Sequence, residues 1–202
     1  MKNLLIAFIF SLFAASCNKP NVPEQTKLPD ATTTGANTFG CIINGQVFYP
    51  RDGVGNFGGG PIAKGIKFWG DPTGNQLFDE IGVGNYRGDK PARRMIIHLQ
   101  GLDQIGVGEY VWHTTNFYNS IDGPMQNYVY CEIYDVNSNI WRYYGSYENS
   151  GKVTITRYDL PNRIVSGTFS GLLRLKNGTD EIEIKQGRFD FKWSTLDTTP
   201  FP

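Results

Sequence analysis

From Phe39 onward, apolar and polar residues alternate in short runs, and Gly, Asn, Asp and Pro separate the runs. Alternation with period two places successive side chains on opposite faces of a strand. No segment sustains the 3.6-residue period of an amphipathic helix, so strands should dominate and any helix should be short. Residues 39–49 carry Asn44-Gly45 between two apolar arms, the strongest short-range signal for a β-hairpin. Further strands are expected in 62–69, 76–83, 93–99, 109–112, 128–134, 140–147, 153–158, 163–175 and 181–193. Such a series, with turn signals at regular spacing, predicts a single all-β domain of about ten strands, either an antiparallel β-sandwich or a barrel-like roll.

The phase of the pattern carries a finer expectation. Ile182 and Ile184 set the apolar face of the last strand on even numbers, whereas Phe189, Phe191 and Trp193 set it on odd ones, with Gln186-Gly187 between them. One extra residue must be inserted to keep both sets on one face, which predicts a β-bulge or break near Gly187. The strand before it keeps its phase through Val165, Phe169, Leu173 and Leu175. Gly167 and Gly171 on the same face leave room for a neighbour or a bend.

The first residues follow a different pattern. Met1-Lys2-Asn3 is short and basic, and Leu4 to Phe13 is an almost unbroken apolar run, too short to span a bilayer but suited to a signal peptide. It ends in Phe13-Ala14-Ala15-Ser16-Cys17, which resembles the lipobox of bacterial lipoproteins, with Ala14 standing where Leu is commonest. The resemblance implies removal of 1–16 and lipidation of Cys17, and three acyl chains would hold the protein to a membrane durably. Residues 18–38 contain Pro20, Pro23 and Pro29 and no aromatic residue, and read as an extended tether with a reach of roughly 60 Å at about 3.1 Å per residue. Asn18-Lys19-Pro20-Asn21 holds no acidic residue of the kind that marks surface export in Bacteroidota lipoproteins, which favours the periplasmic face of the outer membrane over the cell surface. The expected organisation is therefore signal peptide 1–16, lipidated Cys and tether 17–38, β domain 39–196 and C-terminal tail 197–202.

Composition narrows the function classes. The chain has 202 residues, 40% hydrophobic and 14% aromatic, ample for one core, and Lys+Arg and Asp+Glu stand at 19 each. With no net charge and no basic cluster, nucleic acid has no electrostatic footprint to bind.

Thr38-Phe39-Gly40-Cys41-x-x-Asn44-Gly45-x-x-Phe48 near the start resembles a motif of a family of uncharacterised Bacteroidota lipoproteins. So do Val153-Thr154-Ile155-Thr156-x-x-Asp159, Arg163-Ile164-Val165-Ser166-Gly167-Thr168-Phe169-Ser170 and Gly187-Arg188-Phe189-Asp190 near the end. The likeness is specific at both ends of the domain and loose from Gly53 to Asn149. It implies lineage, envelope location and a β fold, and brings no activity with it.

No enzyme chemistry stands out. His98 lies opposite the face of Met95, Ile97 and Leu99, and His113 follows Trp112 near a loop. Without matching Cys or carboxylate spacing they make no metal site. Asp135-Val136-Asn137-Ser138-Asn139 imitates the opening of a calcium loop, but Ile140 and Ser146 stand where Gly and Glu are required, and a hairpin turn fits better. Gly82-Val83-Gly84 and Gly106-Val107-Gly108 lack the following helix of a dinucleotide cradle and read as turn glycines entering strands. Gly167-Thr168-Phe169-Ser170-Gly171 lies mid-strand, the wrong place for a nucleophile elbow. Asp79-Glu80 and Glu181/Glu183 would serve a glycosidase only if two carboxylates faced each other across a cleft. No cofactor is implied.

Two features remain. Cys41 and Cys131 sit on the apolar faces of their strands. An oxidising envelope permits a disulfide between them, with buried free thiols as the alternative. In 128–134 the odd positions suit a core, which turns Tyr128, Tyr130 and Tyr134 to the opposite face, and Trp141, Tyr143 and Tyr147 share one side of the next strand. Paired as a hairpin, the two rows form either a ladder of rings able to stack on sugars or the inner packing of a second layer. The expectation is a monomeric, lipid-anchored envelope module that binds a glycan or another envelope protein without enzymatic activity. A hydrolase acting on polysaccharide is the alternative, recognisable by a deep cleft with facing carboxylates.

Overall fold

The computed structural model describes residues 27–55, 61–70, 77–87 and 93–202. The signal segment and Cys17 lie outside the described residues. The chain forms β1 (Thr38–Ile43), β2 (Gln46–Phe48), β3 (Ile66–Trp69), β4 (Phe78–Asn85), β5 (Arg93–Gln100), the one-turn helix α1 (Leu102–Ile105) and β6 (Gly108–Val111). It continues through β7 (Tyr128–Asp135), β8 (Ile140–Gly145), β9 (Gly151–Asp159), β10 (Ile164–Leu175), β11 (Glu181–Lys192) and α2 (Trp193–Leu196). The strands make one antiparallel sheet in the order β2-β1-β11-β10-β8-β7-β5-β4-β3, with β9 paired to β10 and β6 paired to β9, curled into a half-barrel. Of the two all-β forms expected, the roll is the one adopted.

The alternation explains the curl. Met95, Ile97 and Leu99 of β5, Val129 and Cys131 of β7, Val165, Phe169 and Leu173 of β10, and Phe189 and Phe191 of β11 all point inward and are buried in one continuous core. Past β2 the chain runs beside the end of β4, where Arg51 N–H donates to Gly84 O and Tyr86 N–H to Arg51 O, which draws the two sides of the roll together. The β1–β2 hairpin turns through Asn44 (φ 47°) and Gly45 (φ 78°), the left-handed pair that a two-residue turn requires.

The bulge is present where the phase jump places it. Against β1 the register steps from Gly40↔Arg188 to Ile42↔Lys185, and against β10 from Phe169↔Gly187 to Gly171↔Ile184. The left-handed residue is Gln186 (φ 51°), not the glycine. Gly187 serves a different need, because the Phe169 ring lies directly on it and a Cβ there would come within 2.5 Å of that ring. Gly167 under Phe189 and Gly171 under Trp112 play the same part. Gly82 and Gly84 correct one expectation: they are mid-strand in β4 rather than at a turn, and lie beneath the rings of Trp69 and Tyr86.

The end of the segment read as a tether is docked. Pro29 packs over Gly40, and Arg188 Nη1 donates to Pro29 O at 3.2 Å. Asp190, 1% exposed, accepts from Thr32 Oγ1 at 2.7 Å, Thr34 N–H at 2.9 Å, Gly35 N–H at 2.8 Å, Ala36 N–H at 3.1 Å and Ser166 Oγ at 2.7 Å. The tether therefore ends near Leu28, and the residues after it form a strap across the outside of β10 and β11. Hydrogen bonds to a buried carboxylate hold the strap, a force that a Thr- and Pro-rich composition does not reveal. The C-terminal tail is also held: Phe201 is buried and Arg51 Nε donates to Pro202 O.

Of the two states left open for the cysteines, free thiols are the one present. Cys41 and Cys131 are free thiols, both fully buried, and act as small apolar groups in the core on strands that are not neighbours in the sheet. Burial pushes both thiols well above their ordinary range, so they stay protonated and inert. No helix among the described residues is long and apolar enough to cross a membrane.

Candidate functional site: an aromatic outer face

Strands β7 and β8 pair as expected about the turn at Asp135, with Tyr134↔Trp141, Glu132↔Tyr143 and Tyr130↔Gly145 opposite one another. Asn137 N–H donates to Asp135 Oδ1, and Asn139 takes φ 55°, which makes this an Asx-type turn rather than an ion loop. On the other side β5 brings Arg94↔Glu132, Ile96↔Tyr130 and His98↔Tyr128 into register. All of these side chains stand on the outer face of the roll, opposite the core.

The six rings singled out from the sequence divide into two groups. Tyr128 and Tyr130 are buried, at 0% and 6% exposure, so for them the packing role holds and the platform role is withdrawn. The residues between β6 and β7 fold over them. Tyr128 Oη donates to Tyr118 O at 2.9 Å, and Phe117 reaches over Gly145 with its ring 6.2 Å from that of Tyr130. Beneath this cover His98 is stacked between Phe78 and Tyr128 at 4.8 and 4.4 Å. Its Nδ1 lies 2.9 Å from Glu80 Oε1, which also accepts from Ser120 N–H. Burial, then the Glu80 carboxylate, drives the Tyr128 phenol upward, and burial with Glu132 does the same for Tyr130.

Tyr134, Trp141, Tyr143 and Tyr147 remain half-exposed. Their faces are lined by cations: the Arg94 guanidinium lies 4.9 Å from the Trp141 ring, Arg174 lies 4.2 Å from Tyr147, and the Lys176 ammonium lies 5.1 Å from Phe117 and 5.8 Å from Tyr143. Arg94 is held by Glu132 and Arg174 by Glu181. These ion pairs fix the long side chains beside the rings and keep the face wettable. Sequence reasoning missed three contributors, Trp69 (44% exposed), Tyr86 (39% exposed) and Phe117. The rings of Trp69 and Tyr86 rest on Gly82 and Gly84, and the Gly-x-Gly spacing opposite a Trp-bearing strand was the available signal.

The arrangement offers stacking surfaces and hydrogen-bonding tips. Burial raises the Tyr86 and Tyr147 phenols, so they stay neutral. Two carboxylates, Asp103 and Asp159, edge a shallow 550 Å³ depression elsewhere on the roll. Asp159 is held down at about 2 by Arg157 and Asn162, and one oxygen of Asp103 is taken by Tyr158. Among the described residues no cluster of His, Cys, Asp and Glu could hold a metal ion.

No family model, curated protein or solved structure matches the chain.

Proposed function

We propose that this is a lipid-anchored envelope protein of the Bacteroidota lipoprotein type whose β domain binds carbohydrate on the outer face of β7 and β8, without catalysing a reaction. The supporting observation is the row of half-exposed rings Tyr134, Trp141, Tyr143 and Tyr147, which no second sheet covers and which cations and carboxylates interleave. Sugar rings present apolar C–H faces edged by hydroxyls, and such a surface offers both stacking and hydrogen bonds. Rings already fixed by cross-strand packing lose little freedom on binding.

In this reading Cys17 carries the lipid and the domain sits at the outer membrane, on its periplasmic side. Because the strap docks from Leu28, only about ten residues separate Cys17 from Lys27. Their greatest extension is about 36 Å, so the domain stays near the bilayer.

Affinity electrophoresis through gels containing polysaccharide tests the assignment. The parent protein should be retarded on at least one polysaccharide of a panel, and Trp141→Ala should abolish that retardation while still melting cooperatively, with its midpoint lowered by only a few degrees. Equal mobility shifts of mutant and parent would remove the platform from consideration.

A further inference from the structure

Arg93 and Arg94 are consecutive, and the pleat sends them to opposite sides of the sheet. Arg94 stands on the aromatic face. Arg93 continues the inward series of Met95, Ile97 and Leu99, each fully buried, and so brings a guanidinium to the inner side of the sheet at one end of the roll. There it is half-buried, and its Nη2 donates to Oε1 of Gln46 from the β1–β2 hairpin. Among the described residues it has no carboxylate partner. Desolvation weighs against its charge, yet a guanidinium does not give up its proton, so a partly buried cation is left facing a neutral amide.

Next to it is a cavity of about 390 Å³, between the β1–β2 and β7–β8 hairpins. Ile43, Ile133, Ile182 and Tyr144 line it with apolar surface, and Asn44, Gln46 and Asp135 give it a polar rim. Arg142 also reaches it, but Asp135 neutralises that cation at 3.1 Å. The volume falls within the range of small-ligand sites, roughly 300–1,000 Å³. An open cleft with an apolar wall and, among the described residues, one guanidinium without a carboxylate partner matches a ligand with an apolar body and one acidic end. The planar fork of arginine fits a carboxylate with paired hydrogen bonds.

We infer that the mouth of the roll is a binding site for a small carboxylate-bearing amphiphile, with the acid group on Arg93 and the apolar body against Ile43, Ile133 and Ile182. Arg93 and Arg94 place this site and most of the aromatic outer face on opposite sides of the sheet, and Tyr134, which edges the cavity, is the one ring the two share.

Fluorescence titration with dansyl-undecanoic acid tests the inference on the purified protein. The probe should bind saturably, dodecanoic acid should displace it, and dodecanol should displace it at least about tenfold more weakly. Arg93→Gln should weaken probe binding by about tenfold or more, and Arg93→Lys, which keeps charge but not the fork, should fall between. The inference fails if the parent shows no saturable binding, if acid and alcohol compete equally, if acetate competes as well as dodecanoic acid, or if Arg93→Gln binds as the parent does. Should Arg93→Gln lose its cooperative melting transition, the acid-to-alcohol comparison on the parent and the Arg93→Lys result still decide the matter.

Discussion

On the β10–β11 side of the roll, the outer face carries Asp190, whose two oxygens are saturated by Ser166 and by the strap from Thr32 to Ala36. On the β7–β8 side, the outer face carries Tyr134, Trp141, Tyr143 and Tyr147, which lie open beside Arg94, Arg174 and Lys176. Both faces derive from the same alternation, apolar inward and polar or aromatic outward. In the first, the chain uses its outward side chain to hold itself together. In the second, the outward side chains have contact surface left over, which is the property expected of a face made for a partner.

The sharpest way to break this comparison is Asp190→Ala. It strands the amide N–H groups of Thr34, Gly35 and Ala36 and the hydroxyls of Thr32 and Ser166 at once. Each buried donor left without an acceptor costs roughly 1–3 kcal/mol, and water reaching the loosened strap recovers part of that, so a loss of about 3 kcal/mol or more is expected in urea denaturation. Limited proteolysis should cut the mutant within residues 28–37 while the parent resists. An unchanged denaturation midpoint would mean the strap contributes nothing.

A milder perturbation of the same contact is acid. Burial pushes the Asp190 carboxyl up, and the hydrogen bonds from Thr32, Ser166, Ala36 and Gly35 more than reverse that, leaving it below its ordinary value of 3.8. A carboxyl depressed in the folded state gives stability that is complete above the unfolded value and is lost as pH falls through the folded one. The parent should therefore lose stability downward from about pH 4, and Asp190→Asn should show a shallower acid limb over that window. Asp135 and Asp159, both held at about 2, titrate in both proteins, so the difference between the two curves isolates Asp190. Parallel curves would place the proton uptake elsewhere.

The two faces were unequally legible in the sequence. Strand positions, the Asn44-Gly45 hairpin and the irregularity at Gln186-Gly187 follow from local periodicity, which is written in adjacent residues. The docking of Thr32 to Ala36 is not local. It depends on Asp190, more than 150 positions away, and a carboxylate in Gly187-Arg188-Phe189-Asp190 does not announce which donors it will collect. The same holds for Tyr128 and Tyr130: alternation turned them outward correctly, but their burial comes from Tyr118 and Phe117 in a connection with no periodic pattern. Phe117 and Ser120 there adopt left-handed backbone (φ 66° and 57°), a conformation that glycine would have advertised and these residues do not. Cys41 and Cys131 were read correctly as apolar positions, while the bond between them depended on distances no spacing encodes.

The smallest expected effect on stability is the one that sharpens the contrast most. Trp141 is half-exposed, contacts Tyr134 across the strand pair at 5.4 Å and carries Arg94 on its face at 4.9 Å. Removing the ring forfeits one tilted aromatic contact and one exposed cation–π contact, each worth roughly 0.5–1 kcal/mol at such sites. Trp141→Ala should therefore shift the denaturation free energy by about 1–2 kcal/mol, under the loss at Asp190, and Tyr143→Ala by no more. A loss that small would leave most of the ring's contact surface unaccounted for by packing. If Trp141→Ala instead destabilises the fold by as much as Asp190→Ala does, the outer face of β7 and β8 is structural like its counterpart on β10 and β11, and the ground for assigning it to a ligand is gone.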